Sequence, residues 1–384
     1  MGWTTGTRWA LSVTLASVLA PAELGATPQF ARTYRVDCSH CHSSPPRLNE
    51  RGLRFLASGY WLDGDARART IPLAVWNTAD VEWRHSSDLV RDFPSRVELI
   101  SAGRVGQTRT AYFVEWRALS QSVGANGRLI DRSGRFEDLF IRAPVDSTGA
   151  LSVSVGQFRT LTQVDVSQRL SLSEPLVFSS GVPGRRATDA RLTSLRGFSA
   201  SGRQPAVRVE YQLTRAQSPA DGWFAAATLP VTGELTIPFT DAASFEFEGR
   251  PKGVFLESFR RSGLRSVGAH AFVGDANRRV LTGVVTHALG HRLTLLAGVG
   301  AFHAAGVTDT RFSLGGEVTL SSRLVGGVRV DHRTGQGRNP AVLVYGNGHL
   351  PFGPPAFRQA LRLQIEQRLQ SGSHITGLAV SHIF

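Results

Sequence analysis

From about residue 70 onward the dominant period of the chain is two. Phe357, Gln359, Leu361, Leu363, Ile365 and Leu369 share one face of an extended segment, and Arg358, Arg362, Gln364, Glu366 and Arg368 share the other. Phe312, Leu314, Val318 and Leu320 oppose Arg311, Ser313, Glu317 and Thr319 in the same way, and Tyr112, Val114 and Trp116 oppose Glu115 and Arg117. Successive side chains of a strand point to opposite sides, so each segment has one apolar and one polar face. Segments of about ten residues with this alternation, separated by turn residues, suit a transmembrane antiparallel β-barrel. Such a barrel pairs its backbone groups between strands because lipid offers no hydrogen bonds.

The pattern places strand starts near Leu73, Arg96, Arg109, Arg135, Leu151, Ala190, Ala206, Gly222 and Gly233. Others follow near Gly253, Leu264, Arg278, His291, Asp309, Arg323, Ala341, Phe357 and Ser373. Two of the segments are weak, so the expected fold is all-β, a barrel of about 16 strands. A water-soluble sandwich or propeller also alternates. A charged second face on strand after strand, and an aromatic chain end at Ile383-Phe384 closing a run through Leu378, Val380 and His382, favour the membrane barrel. The stretch 157–183 alternates poorly and reads as a long loop, external or folded into the lumen.

Composition narrows the classes. A chain of 384 residues with 21 Phe and 7 Trp is not disordered, and a mean hydropathy of -0.09 excludes a bundle of transmembrane helices. The net charge of +13 comes almost entirely from arginine, the lone lysine being Lys252, and suits anionic partners. There is no phosphate-binding glycine loop and no nucleophile set beside a base, and no nucleic-acid partner is expected.

The first 26 residues have three parts: Arg8, the apolar run Trp9 to Ala20, and small residues at Ala20-Pro21-Ala22 and Leu24-Gly25-Ala26. This is the build of a secretory signal peptide, 1–26, with cleavage after Ala22 or Ala26; a buried N-terminal helix is the competing reading. Removal through Ala26 takes Arg8 and Glu23, leaving the net charge unchanged, and takes Met1, the one methionine of the sequence.

Both cysteines fall in Cys38-Ser39-His40-Cys41-His42. Two thiols three residues apart reach the two vinyl groups of one porphyrin, and the histidine that follows presents its imidazole to the iron, so the spacing points to covalent haem c. A redox disulfide would normally open a helix of a thioredoxin-like α/β domain, and a zinc site would need further ligands at suitable spacing; neither context surrounds the motif. Leu48, Leu53, Leu56 and Tyr60 approximate helical spacing, with Pro46 near a first turn and Gly59 as a stop. The segment 27–70 is too short to wrap a haem alone, so the barrel, 71–384, must supply the walls.

Pro28-Gln29-Phe30-Ala31-Arg32, Cys38 to His42, Pro46-Arg47-Leu48-Asn49, Gly52, Phe55 and Gly59-Tyr60, followed by a barrel ending in Phe384, resemble the fused outer-membrane monohaem cytochrome-porin family of bacterial extracellular iron oxidases. The resemblance implies one haem c in an N-terminal plug within a porin, the plug in the lumen or facing the periplasm. It implies an Fe(II)-oxidising oxidoreductase that takes electrons from extracellular ferrous iron and passes them to a periplasmic c-type cytochrome or similar acceptor. Residue by residue it carries over Cys38, Cys41 and His42, the last as axial ligand.

The second axial ligand stays open. Without methionine in the mature chain it is a histidine, another weak ligand, or nothing. His85 is placed first as the histidine nearest the plug in sequence; His270, His287, His291, His303, His332, His349, His374 and His382 are the others, and His40 is held within the motif. Arg311, Arg329, Arg358, Arg362 and Arg368 fall on the luminal face, where they repel ferrous ions and attract anions unless they pair with Glu115, Glu317, Glu366, Asp331 or haem propionates. The alternative functions are a haem-plugged, anion-selective porin without iron oxidase activity and a sleeve for a periplasmic electron carrier.

Overall fold

The computed structural model describes residues 29–45, 47–60, 72–84, 95–106, 108–123, 129–131, 133–159, 170–172, 175–177, 203–215, 218–231, 253–274, 279–289, 292–304, 307–321, 323–334, 340–353, 359–370 and 373–383. The N-terminal part holds helix α1 (Gln29–Tyr34), a 3-10 turn (Cys38–His40), a small hairpin of β1 (His42–Ser44) and β2 (Arg47–Leu48), and helix α2 (Glu50–Ala57). Pro46, expected near the first turn, lies outside the described residues. Asn49 caps α2, its Oδ1 accepting from Gly52 N at 3.0 Å. Gly59 closes it with φ +71, a left-handed conformation open to glycine at little steric cost.

The barrel strands are β3 (Leu73–Arg84), β4 (Ser95–Arg104), β5 (Ala111–Val123), β6 (Leu129–Asp131), β7 (Arg135–Pro144), β8 (Leu151–Arg159), β9 (Arg203–Arg215) and β10 (Ser218–Pro230). They continue with β11 (Gly253–Ser262), β12 (Arg265–Gly274), β13 (Arg279–Leu289), β14 (Leu293–Ala304), β15 (Val307–Ser321) and β16 (Leu324–Arg333). The last are β17 (Ala341–Phe352), β18 (Gln359–Gln370) and β19 (Ser373–Ile383). Each pairs antiparallel with its neighbours in sequence, β19 pairs with β3, and β6 is a short extension against β5, so 16 long strands close the barrel. Sixteen of the expected starts fall within four residues of an observed one, the largest offset being Gly222 against Ser218. The starts at Ala190 and Gly233, and Phe384, lie outside the described residues.

The alternation is the one expected of a wall between lipid and lumen. On β15, Leu314 is 63% exposed on the outer face while Arg311 is fully buried on the inner one. On β18, Leu363 and Ile365 point out and Arg362, Gln364 and Glu366 point in. Phe255, Phe272 and Phe302 pack together inside β11, β12 and β14, with the Arg311 guanidinium 4.0 Å over the Phe302 ring.

Part of the poorly alternating stretch lies inside the barrel. Leu170 packs with Val325, Ala341, Leu343 and Tyr345, its carbonyl accepts from Gln364 Nε2 at 3.0 Å, and Ser171 Oγ accepts from Arg329 at 2.8 Å. The expected loop began at residue 157; Gln157 to Arg159 instead complete β8, where Gln157 Nε2 donates to the carbonyls of Phe136 and Glu137 at 2.8 Å.

The two ends of the barrel differ. At the end where β3 begins and β19 finishes, no connection between neighbouring strands is longer than six residues. At the other end lie the long connections 160–202 and 231–252.

Candidate functional site

Residues 29–60 sit inside the short-turn end. Phe30, Tyr34, Phe55 and Tyr60 form a small aromatic core: Phe30 stacks on Tyr60 at 5.3 Å and meets Phe55 edge-on at 4.7 Å. That core continues into the wall through Phe113, 6.1 Å from Tyr60, then Phe140 and Phe158. Polar tethers complete the seat. Arg104 and Arg142 donate to the carbonyls of Ser58, Leu56 and Ala57 at 3.1–3.4 Å, Arg32 donates to the Leu73 carbonyl, Arg47 pairs with Glu317 of β15, and Asn347 Nδ2 of β17 donates to the Pro45 carbonyl at 3.0 Å. Tyr345 donates its hydroxyl to Glu317 at 2.7 Å and packs on Leu170, linking the plug to the inserted loop.

The cysteines lie on the tight turn before the hairpin. His40 N donates to Asp37 O at 2.9 Å and Cys41 N to Cys38 O at 3.2 Å. This winds one turn between the two thiols, and they are not bridged to each other. His42 leaves the turn in extended conformation, opposite Leu48. Asn49 clamps the turn from behind: its Nδ2 donates to the Ser39 and His40 carbonyls at 3.1 Å, and its backbone N to Cys41 O at 2.9 Å. A Cβ on Gly52 would overlap that same Cys41 carbonyl and stand 2.7 Å from Leu48 Cδ2. Helix α2 can lie against the motif because residue 52 has no side chain.

Burial pushes the Cys41 thiol up to about 11, partly offset by the Arg51 charge. His40 is pushed down by burial and then by Arg51, whose guanidinium stands 3.2 Å from its Nδ1; it is tied within the motif, as expected. Two thiols one turn apart with a histidine directly after them fit a covalently attached haem: Cys38 and Cys41 would carry it and His42 would ligate its iron. His85 lies outside the described residues.

The luminal arginines are largely matched. Arg329 pairs with Asp331 at 3.0 Å, Arg311 and Arg333 share Asp309 at 2.7 and 2.5 Å, and Arg362 donates to Asn347 Oδ1 at 2.6 Å. Of the expected partners Asp331 serves a wall arginine, whereas Glu317 serves the plug. Beyond Phe113, toward the long-loop end, Glu98, Glu115 and Glu137 bring carboxylate oxygens within 4.8 Å of one another. Arg117 pairs with Glu137 and lies 4.0 Å from Glu98. The trio could hold a cation but is already partly neutralised. His349 is one of the candidate second ligands named from the sequence, whereas Asn347 and Tyr345 carry only the signal of inward parity on β17, shared by many positions.

No model of a known protein family matches the sequence, and no curated protein matches it. Among solved structures the barrel is similar to Salmonella typhi OmpF in complex with daunomycin, with a TM-score of 0.54 at 9% identity over 81% of this chain and 97% of that one. It is also similar to a mutant of the Rh. blastica porin, with a TM-score of 0.50 at 11% identity over 81% of this chain and 99% of that one. At such identity the likeness is one of fold, and the fold is that of a porin.

Proposed function

We propose that this chain is an outer-membrane electron conduit. It carries one covalent haem c on Cys38 and Cys41 with His42 as axial ligand, oxidises extracellular ferrous iron, and passes electrons to a periplasmic c-type cytochrome. The observation that carries the reading is the seat of the Cys-x-x-Cys-His turn against the inner wall of a closed porin-like barrel. Outer-membrane barrels have short periplasmic turns and longer external loops, so the plug stands at the periplasmic mouth, within reach of a soluble acceptor. When bound, the haem supplies a one-electron couple. The protein's own residues hold the motif rigid, through Asn49 and Gly52, and block the mouth with the aromatic core. Arg47, Arg104 and Arg142 anchor the plug to the wall. Matched luminal arginines weaken the repulsion that a bare basic pore would exert on ferrous ions, and Glu98, Glu115 and Glu137 add negative charge on the external side of the plug.

The test is reconstitution in liposomes with ferrous iron added at the external face while the haem optical bands are followed. Rapid reduction that is lost in Cys38→Ala is the expected result. Covalent haem that ferrous iron does not reduce, beside measurable chloride conductance, would replace this reading with a haem-plugged anion-selective porin.

A further inference from the structure

One of the wall's buried polar groups without a hydrogen bond stands beside the plug. His349 lies on the inner face of β17 and is 4% exposed, with neither Nδ1 nor Nε2 making a hydrogen bond. Neutral imidazole carries one donor and one acceptor, and burying either without a partner is unfavourable. The lone pair of one such ring nitrogen is the donor a metal takes. Among the described residues His270 alone shares this state, and it lies on β12 across from Thr282. His303 is bonded to Thr308 and His382 to Gln359.

His349 is set beside the motif. Asn347, two residues earlier on the same inward face, holds the Pro45 carbonyl at 3.0 Å, and Pro45 is three residues beyond His42. His42 and His349 lie within electrostatic reach of each other, as do Arg323 and Arg362. The strand is fixed at this point, His349 N donating to Arg323 O at 2.7 Å and the residue pairing with Arg362 across β18. The backbone is therefore fixed at this point while the ring nitrogens make no hydrogen bond within the protein.

Resting on the haem reading above, we infer that His349 is the second axial ligand of the haem iron, completing the coordination begun by His42. The coupling has a structural consequence: one ligand comes from the plug and the other from the barrel, so coordination itself locks the plug into its seat. Two imidazoles also leave no open position for small ligands, which suits an electron carrier rather than an oxygen-binding site.

The experiment uses detergent-purified holoprotein from cells that mature c-type cytochromes. Haem retained on the denatured polypeptide is read first; its absence from the wild type would overturn the reading on which this inference rests before any variant is compared. With haem present, the wild type is expected to show a low-spin ferric signal by electron paramagnetic resonance and to ignore carbon monoxide when reduced. His349→Ala should turn high-spin and bind carbon monoxide, with added imidazole restoring the low-spin signal, while His270→Ala keeps the wild-type spectrum. If His349→Ala fails to fold, His349→Met serves instead, expected to stay six-coordinate with a raised reduction potential. A wild type that already binds carbon monoxide, an unchanged low-spin signal in His349→Ala at equal haem content, or an unchanged potential in His349→Met would overturn the assignment.

Discussion

Each long strand of the wall is hydrogen-bonded along both edges, from Leu73 round to Ile383 and back across the β19–β3 seam. The plug meets that wall through isolated side chains: Arg47, Arg104, Arg142 and Asn347, and the ring contact of Tyr60 with Phe113. A closed ladder has no edge from which to fray, and each residue contributes to it through backbone groups that no side-chain change removes. The plug has no such redundancy, and each of its tethers depends on the identity of one residue. Wall and plug should therefore fail separately: changes on the outer face should lower barrel stability and spare the motif, and changes in the plug should do the reverse.

The largest effect is expected from Leu314→Arg. Leu314 sits at the middle of β15 on the lipid face, and a charge there costs about 2–4 kcal/mol at the bilayer midplane. Urea unfolding in lipid vesicles should show the loss in the barrel transition, with haem attachment per folded protein unchanged. A fall in haem attachment without a fall in barrel stability would break the separation. Next comes Gly52→Ala, whose Cβ would overlap the Cys41 carbonyl. Overpacking of this kind costs about 1–3 kcal/mol. Here the barrel transition should stay in place while covalent haem, read on denatured gels, drops several-fold.

Arg47→Ala should have a smaller effect and sharpens the comparison, because it touches the junction. The Arg47–Glu317 pair is partly buried; its loss leaves Glu317 with the Tyr345 hydroxyl and should weaken docking by about 1–2 kcal/mol. Planar-bilayer recordings should show more frequent open events, with the barrel transition again unmoved. An unaltered record would mean that the remaining tethers suffice.

How much of this was legible in sequence follows the same division. The wall could be read because a period of two survives in any single strand: Leu314 against Arg311, and Ile365 against Glu366, declare their faces without knowledge of neighbours. The motif could be read because its chemistry is local to Cys38 through His42. The seat could not. Asn347 and Pro45 are 302 positions apart and meet only once the seam closes, and nothing in β17 itself marks Asn347 or His349 among the inward residues. Proximity in sequence favoured His85, which lies outside the described residues, whereas β3 meets the plug at its first residue, Leu73, whose carbonyl accepts from Arg32. The boundary at residue 157 failed for a related reason. Gly156 has φ +134, which interrupts the local pattern, while β8 continues to Arg159 against β9.

The smallest effect concerns Asn49, where the plug's local structure and its chemistry meet in one side chain. Its Oδ1 caps α2 at Gly52 N while its Nδ2 holds the Ser39 and His40 carbonyls. Asn49→Ala removes both and should cost about 1 kcal/mol from the cap. That is too little to unseat a plug tethered elsewhere by Arg47, Arg104 and Arg142, so haem attachment and pore closure should persist. The turn that carries both thiols would lose its clamp, however, so the expected change is a broadened haem optical band and faster proteolysis confined to residues 38–52. Asn49→Asp keeps the cap but loses the Nδ2 donors. If Asn49→Asp behaves as wild type, the cap alone matters; if it behaves as Asn49→Ala, the clamp on the motif is the part of Asn49 that the chemistry needs.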